Sequence, residues 1–180
     1  MTAVADAPDD PFLWLEDVQG ARALDWVRDQ NQRSVSALAS DDGFKQLQQG
    51  IRSILDADTR IPAVQKIGPH LYNFWRDAQH ERGIWRRTTL DDYRKPSPPW
   101  DTVLDLDAIN RAEGTAWVWK GVSCLRPDFK RCLVDLSPGG GDATVTREFD
   151  LETRAFVDGG FERPLAKGSA SWIDRDTVFV

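Results

Sequence analysis

The chain has 180 residues and a mass of 20.3 kDa, close to the length of one domain. Its 41% hydrophobic and 29% charged side chains exclude a disordered tail, a collagen-like rod and a disulfide-stapled miniprotein. With 23 basic against 29 acidic residues, a net charge of −6 and a pI near 4.9, no general affinity for nucleic acid or an anionic membrane is expected.

In chain order, residues 1–10 are small and acidic, with no basic segment and no apolar run, so they do not read as a secretory signal. Asp10-Pro11-Phe12-Leu13-Trp14-Leu15-Glu16-Asp17 comes next as a compact apolar block between acids, suited to dock by Phe12, Trp14 and Leu15. Leu24, Val27, Asn31, Val35 and Leu38 then recur at helical spacing, with Trp26 beside them, and so do Phe44, Leu47, Ile51, Ile54 and Leu55. Ser40 or Asp41 is placed to cap the second helix, and Asp41 and Asp42 suit the positive end of its dipole. Two amphipathic helices are predicted, each needing a surface to cover its stripe.

From about residue 61 the period changes from 3.6 to 2. Strands are predicted at 70–76, 83–88, 101–106, 115–120, 131–136, 143–149, 154–157, 169–173 and 176–180, all rich in β-branched and aromatic residues. Glycine, proline and aspartate separate them, and Asp150-Leu151-Glu152-Thr153-Arg154 reads as a tight hairpin. The fold class is therefore mainly β, antiparallel, with an N-terminal α-helical segment. Four strands between 115 and 157 make a unit of roughly 40–45 residues, the size of one β-propeller blade, although a sandwich or an open barrel has strands of the same length. The chain stops at Thr177-Val178-Phe179-Val180, inside an apolar strand whose sheet is missing, so we expect a piece of something larger. No run of 18 apolar residues suggests a membrane span.

Few residues offer chemistry. Cys124 and Cys132 are too few for a disulfide framework; small buried hydrophobes are the first reading, with a bridge or a reactive thiol as alternatives, and a reducing cytoplasm is the expected compartment. His70 and His80 read as strand-end and hairpin residues. The nucleophile elbow G-x-S-x-G is absent: Gly121-Val122-Ser123-Cys124-Leu125 and Gly168-Ser169-Ala170-Ser171-Trp172 approach it, but neither precedes a helix. Gly139-Gly140-Gly141-Asp142 lacks the Lys-Ser/Thr of a phosphate cradle and reads as a hairpin loop. The Cys and His spacings match no zinc pattern, and Asp101, Asp105 and Asp107 lack the rest of a calcium loop, so no metal and no cofactor is expected. Arg82, Arg86, Arg87, Arg94 and Lys95, with Trp85 and Tyr93, are interrupted by Asp91 and Asp92 and read as a solvated strand face. Trp117 and Trp119 share one face of a strand, Val118 the other, which suits packing between sheets better than a stacking platform.

The block Asp10–Asp17 resembles the D-P-[YF]-x-W-L-E-D signature of prolyl oligopeptidase family serine peptidases, and Trp26-Val27 and Asn31 come after it as they do there. Leu71-Tyr72-Asn73-Phe74-Trp75-Arg76-Asp77 and Gly83–Thr89 resemble the first propeller blade of that family, and Trp100–Leu106 resembles its next segment. The resemblance implies a seven-bladed propeller over an α/β-hydrolase domain with a Ser-Asp-His triad, hydrolysing short peptides, typically after proline. It places residues 1–60 as helices that pack on the hydrolase domain, and 61–180 as blades one, two and the start of three, a partial propeller. No catalytic residue carries over, so the chain alone is expected to be inactive, its partner being a C-terminal hydrolase portion and its substrates those of the full-length form. The rival reading is a stand-alone β-rich binding module using Trp117, Trp119 and Arg86.

Overall fold

A computed structural model describes residues 10–180. The acidic segment 1–9, read above as carrying no secretory signal, lies outside the described residues. The chain is mainly β with helices, and it divides into two compact units between Ile54 and Leu55.

In the first unit, a 3-10 turn at Leu13–Glu16 precedes helix α1 (Ala21–Leu38). The turn is held by its own residues: Asp10 accepts from the Phe12 amide, and Trp14 Nε1 donates to the Pro11 carbonyl at 3.0 Å. Trp14 meets Trp26 edge-on at 6.1 Å, and the Arg22 guanidinium lies over the Trp14 ring at 4.2 Å. The turn is thereby pinned to α1 by two aromatic contacts. Helix α2 (Asp42–Leu55) is capped by Asp41, whose Oδ1 accepts from the Phe44 amide at 2.9 Å. Ser40 instead donates to the Ser36 carbonyl and belongs to the end of α1. Both apolar stripes are present and exposed: Leu38 is 75% accessible, Leu47 63% and Ile54 67%.

The second unit carries three sheets. The first is an antiparallel meander, β1 (Gln65–Ile67), β2 (His70–Trp75), β3 (Ile84–Thr88) and β4 (Asp101–Asp105), paired in that order. Gly83 opens β3 at φ +103°, where a Cβ would stand 2.6 Å from the Phe74 ring, so no other residue fits this turn. A short helix α3 (Leu90–Tyr93), capped by Thr89, links β3 to β4. Helix α4 (Leu106–Glu113) succeeds β4; Asp105 caps its start and Gly114, at φ +63°, ends it.

The second sheet runs β5 (Trp117–Cys124), β6 (Arg131–Pro138) and β7 (Thr144–Asp150), with β8 (Ala155–Phe156) and β9 (Glu162–Ala166) both pairing with β7. The outer strand is thus split by the loop 157–161, which Glu148 holds by accepting from the Phe161 amide. Pro164 sits in β9, where an edge tolerates its missing donor. Hairpin β10 (Ser171–Asp174) and β11 (Thr177–Phe179) forms the third sheet. All three sheets are open. Strands β1 and β9 and helices α3 and α4 are additions that the periodicity does not predict; the hairpin 150–154 and the loop 139–142 stand where it expects them.

The first two sheets meet on an aromatic seam. Trp119 stacks on Phe74 at 4.9 Å and 11°, and lies 5.5 Å from Trp85, which in turn contacts Tyr72 and Phe149. Leu106, Cys132, Val134, Leu136 and Phe149 fill the core behind them. The packing reading of Trp119 holds. At the rim, Arg154 at the hairpin tip donates two hydrogen bonds to Asp101, at 2.7 and 2.6 Å, and Asp101 also accepts from Arg87.

The first reading of the cysteines is corrected. Cys124 and Cys132 stand opposite each other on β5 and β6 and form a disulfide, because strand register brings their Cα atoms to 3.9 Å.

The bridge closes a loop with a sequence separation of 8. Removing it (Cys124→Ala with Cys132→Ala) lowers unfolding free energy by about 2–3 kcal/mol, read as a lower urea midpoint. Burial raises the Asp101 carboxyl, but the hydrogen bonds from Arg154 and Arg87 outweigh it and hold its pKa below the ordinary range. A depressed pKa stabilises above the unfolded value, about 4, and the contribution is lost as pH falls through the folded value. Urea unfolding at a series of pH values therefore shows the deficit of Arg154→Ala at full size near about pH 6 and shrinking below about pH 4.

Candidate functional site

The residues first considered for catalysis are dispersed. Ser123 lies within β5, and Ser171 opens β10. His70 begins β2, its pKa lowered by burial and by the Arg87 charge against the opposing pull of Asp101. His80 sits in the β2–β3 turn with Nδ1 2.9 Å from Asp77 Oδ1. Asp77 also accepts from the amides of Gln79 and His80 and from Trp75 Nε1. These bonds outweigh burial and keep its pKa low, so the pair organises a turn. Among the described residues no serine hydroxyl hydrogen-bonds to either imidazole. The three aspartates are spent: Asp101 on two arginines, Asp105 on the α4 cap, and Asp107 on the amides of Arg82 and Gly83.

Trp117, Trp119 and Arg86 do not form one surface, which corrects the rival reading. Trp119 lies in the seam, and Trp117 Nε1 donates to Glu113. Successive residues of a strand point to opposite faces, so Arg86 leaves the sheet on the side away from Trp85. There it is sandwiched between the rings of Trp75 and Trp100, 4.3 Å from each. Arg60 lies over Trp75 as well, at 4.5 Å, anchored to the carbonyls of Ala57 and Arg76. The result is a stack of two guanidiniums and two indoles.

Neighbouring groups fix the stack. Arg86 Nε donates to Asn73 Oδ1, and the buried Asn73 donates in turn to the Ala63 carbonyl. Tyr93 OH donates to the Pro62 carbonyl at 3.0 Å and straps the incoming chain to the sheet. Together these residues border a cleft of about 560 Å³, walled by 58–62 and 93–100. Burial lowers the Arg86 pKa to about 10, and the like charge of Arg60 pushes the same way against Asp77. It remains a cation at neutral pH. The sequence holds these residues in plain view; what it lacks is the pairing of Trp75 with Trp100 across the sheet face.

The family model for "Prolyl oligopeptidase, N-terminal beta-propeller domain" matches residues 2–180. The chain belongs to that family. Two curated relatives are named as peptidases: an uncharacterized peptidase of Sinorhizobium fredii, 40% identical over all of this chain and 26% of its own length, and one of Rickettsia prowazekii, 33% identical over 92% and 24%. This prolyl oligopeptidase-family chain thus spans about a quarter of the curated relatives it matches. Among solved structures, a post-proline cleaving enzyme from Rickettsia typhi superposes with a TM-score of 0.84 at 32% identity, covering 92% of this chain and 25% of that one. Oligopeptidase B from Leishmania major shares the fold at 15% identity and a TM-score of 0.56, over 81% of this chain and 20% of its own.

The stack separates two roles by burial. Trp75 is 6% exposed, and Trp75→Ala costs about 3–5 kcal/mol in chemical denaturation, while Trp100→Ala, on the open side of Arg86, costs less than half of that.

Proposed function

We propose that this chain is the N-terminal part of a serine peptidase that hydrolyses short peptides after proline. In this reading the first two sheets are consecutive blades of a seven-bladed propeller and β10–β11 opens the third. The propeller restricts access to a distant catalytic centre and turns away large folded substrates. The helical unit docks on an α/β-hydrolase domain carrying a Ser-Asp-His triad, so the nucleophile, base and oxyanion donors lie outside these residues.

The observation that carries the reading is the match to the post-proline cleaving enzyme, nearly complete on this side and a quarter on the other. Two features of the chain support it. The apolar stripes of α1 and α2 are exposed, as docking helices require: Val35, Leu38, Leu47, Ile51 and Ile54 are each at least half accessible. The sheets also stack face to face through Phe74 and Trp119, the arrangement that successive blades adopt.

The test is hydrolysis of a proline-containing chromogenic peptide. The 180-residue chain alone gives no turnover. Joined to the remaining blades and the hydrolase domain it releases the chromophore, and a serine-reactive phosphonate abolishes the release. Ile51→Glu in α2 lowers the yield of active joined enzyme several-fold while leaving the circular dichroism of the β unit unchanged. Phosphonate-sensitive turnover by the isolated chain overturns the proposal.

A further inference from the structure

The two faces of the first sheet are finished differently. One meets the second sheet through Phe74, Trp85 and Trp119. That join also has a charged clasp: Arg154, from the β7–β8 hairpin, gives Asp101 two hydrogen bonds, at 2.7 and 2.6 Å. The other face carries the rings of Trp75 and Trp100 with Arg86 between them, and Ile61 on the adjoining strap is 90% exposed. In a ring of sheets the first has the second against one face and the last against the other. The chain spans about a quarter of its relatives, so on the propeller reading the sheet for this face comes from the rest of the protein.

The cations on this face set the chemistry of the sheet that covers it. Arg86 has an indole on each side and donates through Nε to Asn73; among the described residues neither Nη group has a hydrogen-bond acceptor. Arg60, on the same Trp75 ring, is spent on the carbonyls of Ala57 and Arg76. Asp77 accepts from Trp75, Gln79 and His80, and its charge offsets only in part the burial and the Arg60 charge that hold the Arg86 pKa to about 10. Asp58 borders the cleft but hydrogen-bonds to neither guanidinium. An apolar sheet laid here takes water from two cations. Backbone carbonyls accept from the Nη groups without neutralising them. A carboxylate does both, and the planar fork takes it through two parallel hydrogen bonds.

We propose that the last sheet of the propeller brings an aspartate or glutamate to the Nη edge of Arg86. The ring then closes on the same kind of clasp that joins the first sheet to the second, an arginine–carboxylate pair beside packed rings. The identity of the covering sheet rests on the propeller reading; the carboxylate rests on Arg86 and Arg60. Arg60 holds the Trp75 ring against which Arg86 lies and is a positioning residue.

The experiment uses the whole protein, this chain joined to the remaining blades and the hydrolase domain. Arg86→Lys puts an amine where the guanidinium stood. Carbodiimide activates a carboxylate, and an amine in contact with it displaces the urea to leave an amide, which mass spectrometry of the peptides locates. The expected product joins position 86 to one aspartate or glutamate of the last blade and is absent from Arg86→Gln. A second measurement does not depend on the Arg86→Lys variant. Carbodiimide-driven labelling with glycinamide rises at least fivefold at that same carboxylate in Arg86→Gln relative to the unsubstituted protein, because the pair no longer shields it. Near-ultraviolet circular dichroism checks that both variants remain folded. A folded Arg86→Lys joined only to Asp58 or Asp77 overturns the proposal, and so does a product with the hydrolase domain or with a second copy of the protein. Unchanged glycinamide labelling throughout the last blade overturns it as well, since carbonyls or apolar groups then meet Arg86. Phosphonate-sensitive hydrolysis is scored separately, so failure of the cross-link leaves the peptidase reading standing, and failure of hydrolysis leaves the cross-link standing.

Discussion

The contact of Trp119 with Phe74 and Trp85 is the constraint on which the β unit depends. A meander of four short strands is marginal alone, because a sheet needs one face removed from water. Two such meanders, each with an aromatic face, solve the problem for one another. The stacking geometry contributes about 0.5–1.5 kcal/mol per pair beyond area burial, and the area itself contributes more. Helix α4 makes the meeting possible. Its eight residues make up most of the link from β4 to β5, and its Leu106 is fully buried at the junction. Asn110 then fixes the start of β5, donating to the Trp117 carbonyl and accepting from the Trp117 amide.

The features legible in the sequence are those whose determining forces are local. The two long helices and most strands can be read because a single face of each is apolar, and that periodicity is written in consecutive residues. Trp119 is legible as packing for the same reason. Helix α4 escapes the periodicity although its signals are present: Asp105 at the cap, Gly114 at the end, and Leu106 with Ile109 between them. Eight residues give too few turns for a stripe to stand out against flanking strands. Strands β1 and β9 escape it because their place depends on partners rather than on their own pattern, and Pro164 argues against a strand until an edge is available. The disulfide is one of several open alternatives for a different reason: spacing of two cysteines does not reveal register, and only the pairing of β5 with β6 sets them opposite.

The candidate site shows the same limit more sharply. Arg86 and Trp100 are fourteen residues apart, and Trp75 lies eleven before Arg86. Each is visible as a residue type. Their stacking arises from antiparallel pairing of β2, β3 and β4, and the cation density from Arg60 arriving on a strap that the sequence marks only by its prolines. Alternation along β3 sends Trp85 into the seam and Arg86 out of it, so one strand feeds an aromatic core on one side and a cation–π stack on the other.

That division bears on what the longer relatives require of this segment. A ring of sheets is held by apolar faces, whereas the outer face of the first sheet here is cationic and ringed by prolines. Covering it with another apolar sheet would desolvate two guanidiniums that Asp77 offsets only in part, a cost that falls where the covering surface brings carboxylates. Whatever meets that face leaves the aromatic seam on the other side undisturbed, because the two faces share a backbone but no side chain.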